Sequence, residues 1–281
     1  MRRRSISLLT DFGARDPSAG IVRGVILGIA PEVLLIDISH EVRKFAIRDG
    51  ALLLWCALPY LPTGIHLAVV DPGVGTARRA VALRAGRGDI LVGPDNGLLL
   101  GAIDRLGGLV DAVELSDPRY RLPVVSSSFH GRDIFAPAAA WLARGVPLAA
   151  LGPRIHPGAL VPSPLPAASV GEGVLESSIV YVDTFGNVKL SALAADLERA
   201  LGPVDRGMNL RLRVGETERC VPWTATFGDV PAGEQLIYAD SYGRLCLAIN
   251  QGDAGHELGL TEDARVTIRA AEGPRVHSAR P

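Results

Sequence analysis

An aspartate and an arginine that could act together lie in the segment His66–Arg79, which reads HLAVVDPGVGTARR. Leu67–Val70 is a short apolar run typical of a buried strand, and Asp71 follows it directly. Ligands of open α/β proteins bind beyond the carboxyl ends of the strands, so Asp71 and Arg78 are candidates for chemistry there. The same residues also fit a tight turn with surface charges, because Asp-Pro-Gly is common turn chemistry.

Polar residues follow three other predicted strands in the same way. The strands are Ser5–Thr10, Val33–Ile38 and Ile90–Val92, and the polar residues at or just beyond their ends are Asp11, the run Asp37–His40, and Asp95 with Asn96. Short apolar strands alternating with helices indicate a parallel sheet covered on both faces, in which Val33–Ile38 is a second buried strand. Four polar clusters at one sheet edge predict a shared site. A helix is expected over about Ala19–Ile29, with Ser18 as its cap.

The chain is expected to form two domains. We predict an α/β domain with a central, mostly parallel sheet over residues 1–160, a linker over 161–170 and a smaller antiparallel, barrel-like β domain over 171–281. Pro153–Ala168 is rich in proline and lacks periodicity, which is typical of a linker. Beyond it, short strands such as Gly173–Asp183 and Gln235–Ala239 are separated by turns.

The composition of the chain limits which classes of binding partner are expected. The chain has 281 residues, 48% of them hydrophobic and 21% charged, as in globular proteins. A net charge of -1 gives no bulk attraction to nucleic acid or to acidic membranes, and no apolar stretch has transmembrane length. The three cysteines are far apart and fit neither a disulfide framework nor a zinc site. A cytoplasmic protein without a nucleic-acid or membrane partner is therefore expected.

Two kinds of site are open from the residues alone. The carboxylates and histidines at the strand ends are the residue types expected in a metal-dependent phosphoesterase, although no tight ligand spacing supports a metal site. A nucleoside site is the other possibility. Asp11 and Asp16 are short acceptors suited to ribose hydroxyls, Phe185 could stack on a purine, and Asn187 could hydrogen-bond its edge. Taken alone, Phe185 and Asn187 also fit a core residue and a turn residue.

Six motifs in order make the chain similar to one family. They are Leu9–Gly13, Asp37–His40, Val70–Arg79, Gly93–Gly97, Phe129–Asp133 and Asp183–Asn187. Together they resemble the S-adenosyl-L-methionine (SAM) hydroxide adenosyltransferases, or SAM hydrolases, which are related to the SAM-dependent fluorinase and chlorinase. The resemblance runs from about residue 5 to residue 270.

The resemblance implies hydrolysis of SAM to adenosine and L-methionine, without a cofactor or a metal. The family's catalytic Asp, Arg and His fall on Asp71, Arg78 and His130. The reaction is a displacement at ribose C5′ that expels a neutral thioether, so the leaving group needs no acid, whereas the water must be activated. A guanidinium stays charged in a protein and favours the hydroxide form of a nearby water.

The resemblance also assigns the substrate contacts. It places Asp11 on the ribose hydroxyls, with Asp16 and Ser18 at the methionine end. Phe45 stands roughly where an aromatic residue flanks the substrate in the halogenases. The segment Asp183–Asn187 is expected at the adenine, through Asp183, Phe185 and Asn187. Ser241 is expected at the methionine carboxylate or amine.

Departures from the halogenase pattern favour a hydrolase. The fluorinase has an aromatic residue in place of Asp71, lacks Arg78, and carries a hydroxylated residue where this chain has Gly131. A carboxylate at the nucleophile position would also repel a halide. A halogenase and a SAM- or adenosine-binding protein without turnover remain the alternatives. The family further implies a homotrimer whose site lies between subunits.

Overall fold

The structure is a computed structural model that describes residues 4–271. It divides into two compact units between Leu165 and Pro166. This division falls within residues 161–170, the segment predicted as a linker. The outer limits predicted for the two domains, residues 1 and 281, lie outside the described residues. Each unit is described by itself below.

A six-stranded sheet forms the centre of the first unit. Its strands are β1 (Ser5–Thr10), β2 (Leu34–Ser39), β3 (Ile65–Val69), β4 (Ala80–Ala85), β5 (Ile90–Pro94) and β6 (Leu109–Glu114). Its helices are α1 (Ser18–Ile29), α2 (Ile47–Ala57), α3 (Leu100–Arg105) and α4 (Ala136–Ala143). The strand order is β2-β1-β3-β5-β4-β6. The first four strands in this order are parallel, and β4 is antiparallel to both of its neighbours, so the mostly parallel sheet is confirmed in a mixed form.

Helices cover both faces of this sheet because its central strands carry apolar residues on both sides. One core contains Ile6 and Leu8 of β1 and packs under α1 and α4. The other contains Leu9 and packs under α2 and α3. The expectation that the second strand is buried was wrong, because β2 is an edge strand and Leu34 is 52% exposed.

The N-cap of α1 differs from the one expected from the sequence. Pro17 occupies the N-cap position, no side chain caps the helix, and Ser18 is its first residue. A proline with its φ fixed near the helical value can begin a helix without a hydroxyl cap, so the prediction for Ser18 as the cap was wrong.

The second unit is an antiparallel sheet of the barrel-like type, as predicted. Its strands are β7 (Ser169–Gly171), β8 (Val174–Val182), β9 (Val188–Leu193), β10 (Asn209–Val214), β11 (Thr217–Pro222), β12 (Gln235–Ala239), β13 (Arg244–Ile249) and β14 (Arg265–Ala270). The helices are α5 (Ala194–Leu201) and α6 (Ala254–Glu257). The order β11-β10-β14-β8-β9-β13-β12 nearly closes, since Trp223 after β11 bridges Ile237 of β12.

The inside of this barrel is a single apolar cluster built from alternate residues of the strands, among them Ile179, Val188 and Leu247. None of the helices formed by residues 4–271 is long and apolar enough to cross a membrane.

Candidate active site

Asp71, Arg78 and His130 form one hydrogen-bonded group, called here the Asp71–Arg78–His130 cluster. Asp71 follows β3, and the loop after it returns to β4 through Arg78. The guanidinium of Arg78 holds the carboxylate of Asp71 with two bonds: Nε donates to Oδ1 over 3.1 Å, and Nη2 donates to Oδ2. Both side chains are less than a tenth exposed, at 8% and 5%. A bidentate pair of this kind fixes the guanidinium plane.

His130 completes the cluster from a different loop. Its Nδ1 lies 3.1 Å from Nη2 of Arg78. Burial lowers the pKa of His130, the Arg78 guanidinium lowers it further, and the Asp71 carboxylate opposes these effects. The guanidinium carbon of Arg78 lies 5.3 Å from the centroid of the Phe135 ring, which is a cation–π contact.

Close packing sets the position of the two loops that carry the cluster. Gly75 has φ +77°, and a Cβ there would lie 2.2 Å from the carbonyl oxygen of Ser127 in the loop before His130. After His130, a π-helical turn over Gly131–Phe135 leads into α4. The fully buried Asp133 in that turn accepts a hydrogen bond from the backbone N–H of Ser126 over 2.9 Å. These contacts place His130 opposite Arg78.

Asp11 and Phe45 are brought together at the end of β1. The Oδ2 atom of Asp11 accepts a hydrogen bond from the backbone N–H of Phe45 over 2.9 Å. Phe45 has φ +65°, a left-handed conformation that is unfavourable for an aromatic residue, and it is 69% exposed. Phe12, the residue after Asp11, contacts Phe129 edge-on at 5.8 Å between ring centroids. The loop that carries Asp11 therefore touches the loop that carries His130.

Asp16 and Ser18 lie at the start of α1, where Asp16 is exposed and Ser18 is half-buried. In the described part of the chain, neither side chain hydrogen-bonds to the Asp71–Arg78–His130 cluster. The structure places them at the N-terminal end of a helix that begins beyond the end of β1.

In the second unit, Asp183 builds the turn that carries Phe185 and Asn187. Its Oδ1 accepts from the backbone N–H groups of both residues over 3.0 Å, and its Oδ2 accepts from the Asn187 side-chain amide over 3.0 Å. Gly186 is required between them, because a Cβ there would lie 2.2 Å from Oδ1 of Asp253. Asn187 is buried, whereas Phe185 is 78% exposed. An exposed phenyl ring beside a fixed amide can stack on a purine while the amide reads its edge.

Ser241 lies in a second turn of this unit, between β12 and β13. Asp240 shapes that turn: its Oδ1 accepts from the backbone N–H groups of Tyr242 and Arg244 over 2.9 Å. Its Oδ2 accepts from the Nζ of Lys189 over 2.7 Å. The ion pair between Asp240 and Lys189 was not predicted, although Asp-Ser-Tyr-Gly signals a turn and lysine is rare in this chain.

The other polar strand-end residues have structural partners. Asp95 accepts from Arg79 and from the backbone N–H of Val161 over 2.9 Å. Asn96 donates to the carbonyl of Val70 over 2.9 Å. His40 hydrogen-bonds Thr10 over 2.8 Å, and burial followed by the nearby Arg23 lowers the pKa of His40. Within residues 4–271, no group of three or more His, Cys, Asp or Glu side chains is arranged to hold a metal ion.

Comparison with known families covers both units. Residues 6–152 match the SAM hydroxide adenosyltransferase N-terminal domain, and residues 177–267 match the C-terminal domain of the same family. The chain belongs to the SAM hydroxide adenosyltransferase family. The cluster, Asp11 and the Asp183–Asn187 turn all lie within these matched ranges.

Individual relatives agree with this family. The chain is 45% identical over 265 residues to an (R)-S-adenosyl-L-methionine hydrolase of Salinispora tropica, covering 94% of this chain and 97% of the relative. It is 30% identical over 293 residues to a fluorinase of an Actinoplanes species, covering 95% and 97%. A crystal structure of an uncharacterized conserved protein from Thermotoga maritima superposes with a TM-score of 0.88 at 34% identity, covering 94% of this chain and 99% of that one. The hydroxide adenosyltransferase fold thus extends over nearly the whole chain.

Proposed function

We propose that the protein hydrolyses SAM to adenosine and L-methionine. The observation that carries this proposal is the Asp71–Arg78–His130 cluster, in which a nearly buried guanidinium is held in one orientation by two partners. The family and the relatives named for this reaction support it. Adenosine and methionine are the products expected when water replaces the sulfonium at ribose C5′.

Arg78 is proposed to make water nucleophilic. The new bond joins the water oxygen to C5′, and the electron pair of the breaking C5′–S bond stays on sulfur, giving a neutral thioether. A water beside the permanently charged guanidinium loses its proton more readily than one in bulk solvent. The sulfonium attracts hydroxide in the ground state but loses this attraction as it is neutralised, so fixed alignment of water, C5′ and sulfur must supply much of the rate.

Asp71 and His130 are proposed to have two different roles, proton transfer for Asp71 and positioning of Arg78 for His130. A guanidinium has no lone pair, so the Nδ1 of His130 facing Arg78 accepts, and the proton of the neutral ring is on Nε2. The carboxylate of Asp71 has lone pairs beyond those that accept from Arg78, so Asp71 can receive the water proton and pass it to solvent. His130 positions the guanidinium.

The residues that bind the substrate are assigned by the same proposal. In the first unit, Asp11 takes the ribose hydroxyls, Asp16 and Ser18 take the methionine end, and Phe45 flanks the substrate. The hydrogen bond from Phe45 to Asp11 supports a joint role for these two residues.

In the second unit, Asp183 holds the turn from which Phe185 and Asn187 meet the adenine. Ser241 binds the methionine carboxylate or amine. The hydrogen bonds within the Asp183–Asn187 turn support the adenine assignment, because they fix the orientation of the Asn187 amide.

Incubation with SAM tests the reaction. Chromatography should detect adenosine and methionine in equal amounts, with EDTA present and without added halide. Formation of 5′-halo-5′-deoxyadenosine only when chloride or fluoride is added would indicate a halogenase instead. Bound SAM or adenosine without product would indicate a binding protein. Asp71→Ala should lower turnover by about two orders of magnitude, as for a lost proton-transfer group.

A homotrimer and a cytoplasmic location belong to the same proposal. The trimer rests on the family resemblance. The location rests on cysteine chemistry, since Cys56, Cys220 and Cys246 are all free thiols, as is usual in reducing compartments. Light scattering coupled to size-exclusion chromatography should give three times the mass of one chain.

A further inference from the structure

A row of polar and aromatic side chains crosses four neighbouring strands of the second unit. Its members are paired in register from β8 through β9 and β13 to β12: Tyr181, Lys189, Cys246 and Tyr238. The next row, which contains Val188, packs into the apolar core of the barrel. Because successive residues of a strand point to opposite faces, the row that contains Lys189 lies on the outer face.

Lys189 is nearly buried although it lies on that outer face. Its side chain is 12% exposed, and its Nζ donates to Oδ2 of Asp240, whose side chain is 5% exposed. The ammonium also lies 5.6 Å from the ring centroid of Tyr242. Burial by itself would lower the pKa of Lys189, but the carboxylates of Asp240 and Asp183 raise it above its usual value. Lys189 is therefore a charged group held in a protected position.

The Asp240 carboxylate joins this ammonium to the backbone of the Ser241 turn. One oxygen accepts from two backbone N–H groups of the turn, and the other accepts from Lys189. A further hydrogen bond of 2.9 Å, from the N–H of Gly243 to the carbonyl of Asp240, closes the turn. Without the ammonium, a nearly buried carboxylate would lose its charge partner, which is costly and would loosen the turn.

Composition marks Lys189 as unusual in this chain. Lys44 and Lys189 are the only lysines among 29 lysine and arginine residues. An ammonium is a compact point charge with three donors, whereas a guanidinium is a wide planar fork. The nearly buried position of Lys189 beside Asp240 and Tyr242 suits the smaller group.

We propose that Lys189 is a positioning residue that acts through Asp240 to fix the Ser241 turn for the methionine end of the substrate. The inference rests on the proposed function, since it takes SAM as the ligand. Two turns of the second unit then differ. The Ser241 turn depends on Lys189, whereas the Asp183–Asn187 turn is held by its own hydrogen bonds. Adenosine lacks the methionine part, so its binding depends on Lys189 only through the weaker charge interaction with Asp183, which makes no hydrogen bond to Lys189 in the described residues.

Calorimetric titration of SAM and of adenosine tests this separation. All variants carry Arg78→Ala, so that SAM is not consumed. Adding Lys189→Met should raise the Kd for SAM by about tenfold or more, the effect of losing a charged hydrogen bond, while the Kd for adenosine changes by less than about twofold. The matched control is Arg211→Met, which removes the exposed ion pair with Glu218 in the same barrel and should change neither Kd.

A second variant separates positioning from general damage. Asp240→Asn keeps an acceptor for the turn and removes the charge that Lys189 neutralises, so Lys189→Met combined with Asp240→Asn should bind SAM more tightly than Lys189→Met alone. An unchanged Kd for SAM, or equal weakening of SAM and adenosine, would overturn the inference. If the wild-type protein does not hydrolyse SAM but shows this pattern of binding, only the proposed function fails. Absence of SAM binding overturns both.

Discussion

At the scale of single residues, the protonation state of His130 is decided by its neighbour. Nδ1 faces a guanidinium that can only donate, so a protonated ring would turn an acceptor into a second donor beside Arg78. The neutral ring is the form that keeps the cluster intact. The lowered pKa of His130 agrees with this requirement, because burial and the Arg78 charge both disfavour the imidazolium.

Turnover should therefore fall in acid and be flat at neutral pH. As pH drops through the pKa of His130, which lies below 6.5, the ring takes a proton and repels Arg78. A profile of kcat/KM against pH from 4.5 to 8.5 should show one limb that rises with pH, with its midpoint below about 6.5. His130→Asn retains a side-chain acceptor without a titrating ring, so the limb should disappear. A limb that persists in this variant belongs to another group.

Arg78 contributes a planar set of hydrogen bonds as well as a positive charge. Arg78→Lys keeps the positive charge but cannot make the two bonds to Asp71 and the bond to His130 in one plane. We expect kcat to fall by about 100-fold, while KM for SAM changes by less than about threefold, because removing one preorganised electrostatic group typically costs this much. Steady-state assays of adenosine formation give both constants. A kcat within a factor of about five of the wild type would show that charge is sufficient.

At the scale of elements, the cluster depends on how closely two loops approach. The loop between β3 and β4 meets the loop before His130 at Gly75, where there is no room for a Cβ and φ is positive. Arg78 lies three residues beyond this contact, and His130 lies three residues beyond Ser127. A displacement at Gly75 would therefore shift the loop that carries the cation relative to the loop that carries the histidine.

Gly75→Ala should lower kcat by at least about tenfold while the protein stays folded, since misplacing catalytic groups by an ångström is costly. Gly73→Ala is the matched control in the same loop. A Cβ there meets only ordinary contacts, the nearest at 3.5 Å from Oγ1 of Thr76, and its φ is not positive. Adenosine formation and circular dichroism of both variants check this. Equal activities would show that the loop adapts to the extra methyl group.

Some elements were predictable from local pattern and others were not. β1 and β12 have the predicted limits, because each is a mostly apolar run that ends at clear turn residues. β9 and α5 were missed, since the chain passes from Leu193 directly into a helix at Ala194 without glycine or proline to mark the change. The antiparallel β4 could have been inferred from the short Gly86–Asp89 link to β5, which is too short for a parallel crossover.

The site shows the same division. The motif series identified Asp71, Arg78 and His130 together, although they lie on different loops, and their hydrogen bonds form within one unit. The pairing of Asp240 with Lys189 was not predicted, because it depends on cross-strand register in the barrel, which single-sequence periodicity does not reveal.

At the scale of the whole molecule, the Asp71–Arg78–His130 cluster and a buried, stabilising hydrogen-bond network lie at different ends of the same strands. Near the start of β3 and β5, His66 links Ser7 over 2.7 Å to Asp89 over 2.9 Å, and all three are buried. Arg87 adds two bonds to Asp89. The network joins β1, β3 and the entry to β5, whereas Asp71 lies after the end of β3. Burial alone would raise the pKa of Asp89, but the hydrogen bonds from His66 and Arg87 hold it well below its usual range.

Asp89→Asn should lower the free energy of unfolding by about 2 to 4 kcal/mol at pH 7, because it removes the negative charge that pairs with the Arg87 guanidinium in a buried site. A carboxyl whose folded pKa is lowered stabilises the protein above its unfolded pKa of about 3.9, and this stability is lost as pH falls towards the folded value. Urea unfolding should therefore show a larger difference between wild type and variant at pH 7 than at pH 3. The exposed Asp104→Asn serves as the control and should change little.

Because the network lies away from the cluster, kcat of Asp89→Asn should match the wild type at temperatures where both are folded. A large loss of kcat would show that the two ends of the sheet are coupled.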